Sequence, residues 1–163
     1  MYALRRRFAP AAFSLLLLAA PGAAGAQAFA CPDLATAVQA GTCPSEAQLK
    51  YGYTAYCSDN ARMYDKSSAD CADEKAYRRL KNVSLWESAD GVFQGYLSCD
   101  LPAGVVKAAR PVRVAVAKQG SITRLVCSYP RGISFAYRSR SACKVEGDGD
   151  CAANPARCAA TCN

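Results

Sequence analysis

The sequence predicts an α+β domain: short N-terminal helices, an antiparallel β-meander of about four to five strands over residues 83–139, and a cysteine-rich C-terminal tail. Apolar spacing changes near residue 82, from a helical period behind capping residues to an alternation of period two. Turn-forming clusters divide the alternating part: Ala89-Asp90-Gly91, Pro102-Ala103-Gly104, Gln119-Gly120 and Pro130-Arg131-Gly132. Joints that short connect antiparallel neighbours. The third observation is the cysteine count. Ten cysteines, an even number, stand at Cys31, Cys43, Cys57, Cys71, Cys99, Cys127, Cys143, Cys151, Cys158 and Cys162. In an exported chain they read as a framework of up to five disulfides whose partners spacing does not fix.

Export is read from the first 28 residues. Arg5, Arg6 and Arg7 form a basic region, residues 8–20 an apolar run, and small residues follow. That run holds 13 residues including Pro10, whereas a bilayer span needs about 20, so a cleaved leader is expected and a membrane anchor is not. Two small-x-small cleavage sites are available, Ala24-Gly25-Ala26 and Ala26-Gln27-Ala28, and cutting after Ala28 is favoured. Arg5-Arg6-Arg7-Phe8 resembles a twin-arginine signal, but disulfides would then have to form in a reducing compartment. Lipidation at Cys31 is set aside because the preceding residues lack the expected leucine and an odd number of cysteines would remain. The domain plan is thus a leader over 1–28, a helical cysteine-rich segment over 29–82, a sheet over 83–142 and a tail over 143–163. Residues 29–163 are long enough for one folded unit in a periplasmic or secreted setting, and the alanine-rich composition has a bacterial look.

Within the helical segment, residues 33–40 are a helix candidate closed by Gly41. Ser45 with Gln48 three residues on is a capping box for a second helix. Asp70 is a cap for a third over 71–81, with Ala72, Ala76, Tyr77 and Leu80 on one face. Cys31, Cys43, Cys57 and Cys71 are spaced to tie these short helices together. The strand candidates are 83–86, 92–99, 112–118, 122–129 and 133–139. Asn154-Pro155 starts a final helical turn.

Two of the joints fix a register. A turn at Gln119-Gly120 sets Lys118 opposite Ser121, Ala115 opposite Arg124 and Arg113 opposite Val126. A three-residue loop at Pro130-Arg131-Gly132, with glycine left-handed, sets Cys127 opposite Phe135, Leu125 opposite Tyr137 and Arg124 opposite Arg138. One face then holds Val114, Leu125, Cys127, Ile133 and Phe135 as core. The other holds Arg113, Arg124 and Arg138, with Arg140 near the edge. Like charges directly opposite destabilise a sheet, so something must compensate them.

Residues 99–145 hold nine lysines and arginines against one acid, Asp100, whereas residues 31–90 hold seven against nine and residues 146–163 one against three. The simpler expectation is an internal cover: the acidic helical segment, or Glu146, Asp148 and Asp150 of the tail, lies over the arginines. The other is an anionic partner, such as an acidic glycan, a lipid headgroup or an acidic protein surface. Nucleic acid also suits arginines among tyrosines, but export sets it aside.

Chemistry leaves few openings. With no histidine in the chain, Ser-His-Asp and Cys-His systems are excluded. Zinc is disfavoured by the lack of histidine and of Cys-x-x-Cys, and no cofactor or metal is expected. Gly147-Asp148-Gly149-Asp150 lacks the alternating acids of an EF-hand and reads as an acidic turn. Trp86, Tyr96, Tyr129 and Tyr137 would suit a sugar-stacking platform but are expected in the core.

Gly95-Tyr96-Leu97-Ser98-Cys99, followed by Cys127-Ser128-Tyr129 on a later strand, resembles elements of small exported cysteine-rich bacterial proteins of unknown function. The resemblance covers residues 83–143 and implies a β-rich, disulfide-tied domain without assigning an activity or a site. The expected function is a non-enzymatic, exported binding module that recognises an anionic partner through Arg113, Arg124, Arg138 and Arg140. One alternative is an inhibitor or immunity-type factor that blocks a toxin or envelope hydrolase through the helical segment. Another is a carboxylate-dependent hydrolase.

Overall fold

The computed structural model describes residues 25–63 and 69–163, so most of the leader read from the sequence lies outside the described residues. The helices are α1 (Glu46–Cys57), α2 (Asn60–Met63), α3 (Glu74–Lys81) and α4 (Ala103–Ala108). The strands are β1 (Gln27–Ala30), β2 (Val38–Gln39), β3 (Val83–Glu87), β4 (Gln94–Ser98), β5 (Arg113–Gln119), β6 (Ile122–Ser128), β7 (Ser134–Ser139), β8 (Cys143–Val145) and β9 (Ala159–Cys162). The fold is α+β, with two antiparallel sheets ordered β2-β3-β4-β7-β6-β5 and β1-β9-β8.

The five strands expected between residues 83 and 139 all form, but they are not one meander. The hairpin β3-β4 and the three-stranded unit β5-β6-β7 lie side by side through β4 and β7. The chain between β4 and β5 therefore has to cross the sheet. Pro102-Ala103-Gly104, expected as a simple turn, opens α4, which carries Val106 into the core as a fully buried residue. A six-residue helix is too short to show a helical period, which is why sequence pattern misses it.

Register follows the turns. Between β6 and β7 it is as expected, with Arg124 opposite Arg138, Leu125 opposite Tyr137 and Cys127 opposite Phe135. Between β5 and β6 it is displaced by two residues, so that Ala117 faces Arg124 and Ala115 faces Val126. Gly120, at φ 59°, takes the first central position of the turn between Gln119 and Ile122, where a type II′ turn requires glycine. The central pair is thus Gly120-Ser121 rather than Gln119-Gly120. A slip of two leaves every side chain on its expected face, because the strand period is two.

One face of the larger sheet is covered. Phe135, Leu125, Cys127, Val114 and Ile133 pack beneath Leu34, Val106 and Ala160, which come from the turn after Asp33, α4 and the smaller sheet. Phe29 on β1 stacks on Tyr137 at 4.3 Å. The Tyr129 hydroxyl donates to the Pro32 carbonyl at 2.7 Å. Burial, reinforced by the nearby Asp33 charge, pushes its ionisation well above the ordinary tyrosine range, so the donor proton stays in place.

The outer edge of β5 is closed by the tail. Val114 N–H donates to Gly149 O at 2.9 Å and Cys151 N–H donates to Val112 O at 3.1 Å. This cover blocks edge-to-edge pairing along the first half of β5. The tail's Pro155–Arg157 turn is capped by Asn154, as the sequence suggests.

The helical segment is a smaller unit beside the sheet. The Ser45–Gln48 capping box starts α1. The third helix begins later than expected, at Glu74, because Asp73 rather than Asp70 is its cap and accepts from Ala76 N–H at 2.6 Å. Ala76 and Tyr77 are buried as expected, whereas Leu80 is 55% exposed. The helix candidate over 33–40 shrinks to one turn, Leu34–Thr36, because Ala37 turns extended and leads into β2. Arg78 ties the segment together, pairing with Glu46 and lying 3.7 Å from Asp100.

Five disulfides use all ten cysteines: Cys31–Cys127, Cys43–Cys99, Cys57–Cys71, Cys143–Cys162 and Cys151–Cys158. Only Cys57–Cys71 links helices to each other. Cys31 and Cys43 instead bridge to Cys127 and Cys99 in the sheet region, which corrects the expectation that the first four cysteines pair among themselves.

Candidate functional site

The second face of the larger sheet is open over β4, β7, β6 and β5. Its residues are those that alternate with the core: Gln94 and Tyr96, Ser134, Ala136 and Arg138, Arg124 and Val126, and Ala115 and Ala117. Side chains between the arginines and the tyrosine are small, so the face dips. The hollow has a volume of about 200 Å³ and is lined by Gln94, Gly95, Tyr96, Arg124, Ser134, Ala136 and Arg138.

Of the four arginines singled out in the sequence, the structure brings two together. Arg124 and Arg138 stand directly opposite on β6 and β7 and both line the hollow. Arg113 faces Ser128, four residues along β6 from Arg124, which is about 13 Å at strand spacing. Arg140 lies just past the end of β7. Arg113 and Arg140 therefore flank the hollow without lining it.

The internal cover that would have neutralised these charges does not form among the described residues. Among the described residues, no carboxylate lies within ion-pairing distance of Arg113, Arg124, Arg138 or Arg140. The tail does run beside β5, with Asp150 across from Arg113 in a backbone bridge. Two of its carboxylates serve its own turn, however: Asp148 accepts from Asp150 N–H and Asp150 from Ala152 N–H, each at 3.0 Å. Glu46 and Asp73 are engaged with Arg78 and the start of α3. Near the hollow the acid is Glu87, which accepts from Gln94 Nε2 at 2.9 Å.

Arg124 carries a further signature. Its Nε is buried and has no hydrogen-bond partner, in a molecule where the buried polar side-chain atoms without partners among the described residues are this one and Ser84 Oγ. A buried donor left unpaired costs about 1–3 kcal/mol, more when charged. That cost adds to the repulsion from Arg138. The arrangement is unfavourable by itself.

The aromatic residues divide. Trp86 and Tyr129 are buried and Tyr137 packs between Phe29 and Phe93, as core residues should. Tyr96 does not: it is 68% exposed and stands at the rim of the hollow. Its place is foreshadowed by alternation, because Gln94, Tyr96 and Ser98 share one face of β4 while Leu97 points to the core. Gln94 and Ser134 escape sequence reading because nothing in the pattern announces that β4 lies against β7.

No family model, curated protein or solved structure matches the chain. The chemistry of the open face is therefore the basis for a functional reading.

Proposed function

We propose that this disulfide-rich domain is an exported binding module that takes an anionic group on its open sheet face, between Arg124 and Arg138. The observation that carries this reading is the opposed, unneutralised arginine pair in a hollow, with a buried and unpartnered Nε. Guanidinium groups present planar forks of donors that match carboxylate and phosphate oxygens. Arg113 and Arg140 extend the positive field around the hollow and favour capture of anions from solution.

Replacing both inner arginines (R124E/R138E) is expected to weaken binding of an anionic partner at least about a hundredfold, or about 2.7 kcal/mol. The neutral variant R124Q should leave the melting temperature unchanged or raise it, since it removes repulsion and an unpaired donor. Calorimetric titration and thermal unfolding read the two effects separately. A fold that collapses on R124Q would assign the pair a structural role and sink the reading.

Export is supported by the leader-like first residues and by five bridges that persist in oxidising compartments. β1 starts at Gln27, paired with Cys162, so a cut after Ala26 keeps the whole strand whereas one after Ala28 removes half of it. The intact mass of the exported protein should therefore match residues 27–163, with ten hydrogens lost to the bridges. A mass starting at Phe29 would place the cut inside the strand instead.

A further inference from the structure

We infer that the anion held between Arg124 and Arg138 is a phosphomonoester in its dianionic form; this rests on the reading of the open face as an anion site. Charge matching is the first argument. Two guanidinium groups converge on one hollow with no carboxylate within ion-pairing distance. A carboxylate brings one negative charge and leaves the pair half-neutralised, whereas a phosphomonoester brings about 1.5 to 2 at neutral pH.

Donor geometry agrees. One arginine fork engages both oxygens of a carboxylate, so a second fork reaches only their remaining lone pairs and finds no oxygen of its own. The three terminal oxygens of a phosphomonoester point in different directions. They can accept from two forks that approach from neighbouring strands. Space is the third argument. A water takes about 30 Å³ of liquid, so a hollow of about 200 Å³ has room for the phosphoryl group and the first atoms of its ester body. That body would lie over Ala136 and Ser134 toward the exposed ring of Tyr96.

The chain itself makes the inference testable by pH. It has no histidine, the one side chain whose ordinary titration falls between about pH 5 and 8. The charged and titratable groups on the same face are Arg113 on β5 with Asp150 of the tail across from it, Tyr96 on β4, Glu87 on β3 behind Gln94, and Arg140 beyond β7; the two carboxylates ordinarily titrate below about pH 5. A change in affinity through pH 6 therefore reports the second proton of the ligand, whose pKa is about 6.

The test titrates the oxidised mature protein with phenyl phosphate and with benzoate. At about pH 7.5 phenyl phosphate should bind at least about tenfold more tightly, and near pH 5 the two should come within about threefold. In R138Q the advantage of phenyl phosphate should vanish at both pH values. Equal binding of the two ligands at pH 7.5, or a phosphate advantage unchanged at pH 5, would overturn the dianion inference while leaving anion binding intact. Wild type that binds neither ligand better than R124Q/R138Q would overturn both. Vesicles then separate the sources of the group. Retention on phosphatidic acid but not phosphatidylglycerol, lost in R124Q/R138Q, assigns a lipid headgroup. Phenyl phosphate binding without vesicle retention assigns a soluble phosphomonoester.

Discussion

Replacing Cys31 and Cys127 together (C31A/C127A) is expected to lower stability by about 4–5 kcal/mol, the largest effect among the five bridges. The bridge closes a loop of 96 residues, and cross-linking distant points removes most freedom from the unfolded chain. Cys127 sits fully buried near the end of β6, so its loss also leaves a void in the core. On the other side, Cys31 follows β1 directly and donates its N–H to Cys158 O at 2.7 Å. Breaking the link frees β1, whose Phe29 covers Tyr137. At the other extreme, Cys151–Cys158 spans seven residues, and C151A/C158A should cost about 2 kcal/mol. Urea unfolding of both double variants checks the order. A C151A/C158A protein less stable than C31A/C127A would show that the long bridge does not hold the smaller sheet on the larger one. Because domains are stable by only about 5–15 kcal/mol, the long bridge accounts for about a quarter of the total or more.

How much of this was legible in the sequence depends on the range over which the deciding forces act. Local chemistry was readable. The Ser45–Gln48 box starts α1, and the loop at Pro130-Arg131-Gly132 sets the β6–β7 register that places Arg124 against Arg138. The inner pair of the site was thus visible from one turn and one alternation. What joins distant segments was not. The pairing of β4 with β7, the return of the tail to β5, and the link from Cys31 to Cys127 are decided by packing across the sheet, and no residue pattern in either partner encodes the other. The helix candidate over 33–40 fails for the same reason: its propensity is weak, and pairing of Val38 and Gln39 with β3 outweighs it. Among the described residues the cover expected over the arginines does not form; Asp73, Asp148 and Asp150 are instead engaged in capping and turn contacts within their own segments.

The seam between β4 and β7 is where sequence intuition and structure give opposite signs. Glycine within a strand ordinarily weakens it, so G95A would be expected from propensity alone to stabilise by up to about 1 kcal/mol. A Cβ on Gly95 would instead run into the backbone carbonyl of Ser134, with the Phe135 ring close behind. Neither can yield: one is main chain inside a sheet, the other a fully buried ring. The strands must part, and G95A is expected to destabilise by about 3 kcal/mol, the upper range for forcing an extra carbon into a packed interior. Gly104 in α4 is the matched control. It has open space where its Cβ would be, so G104A should stabilise by about 0.5–1 kcal/mol. Urea titrations that gave both variants the same sign would rule out the close approach at the seam. Gly95 and Ser134 also line the hollow beside Arg138, so parting them moves β7 away from β4 and widens the anion site. Weaker anion binding by G95A, measured below its unfolding transition, would show that the missing side chain shapes the site as well as the sheet.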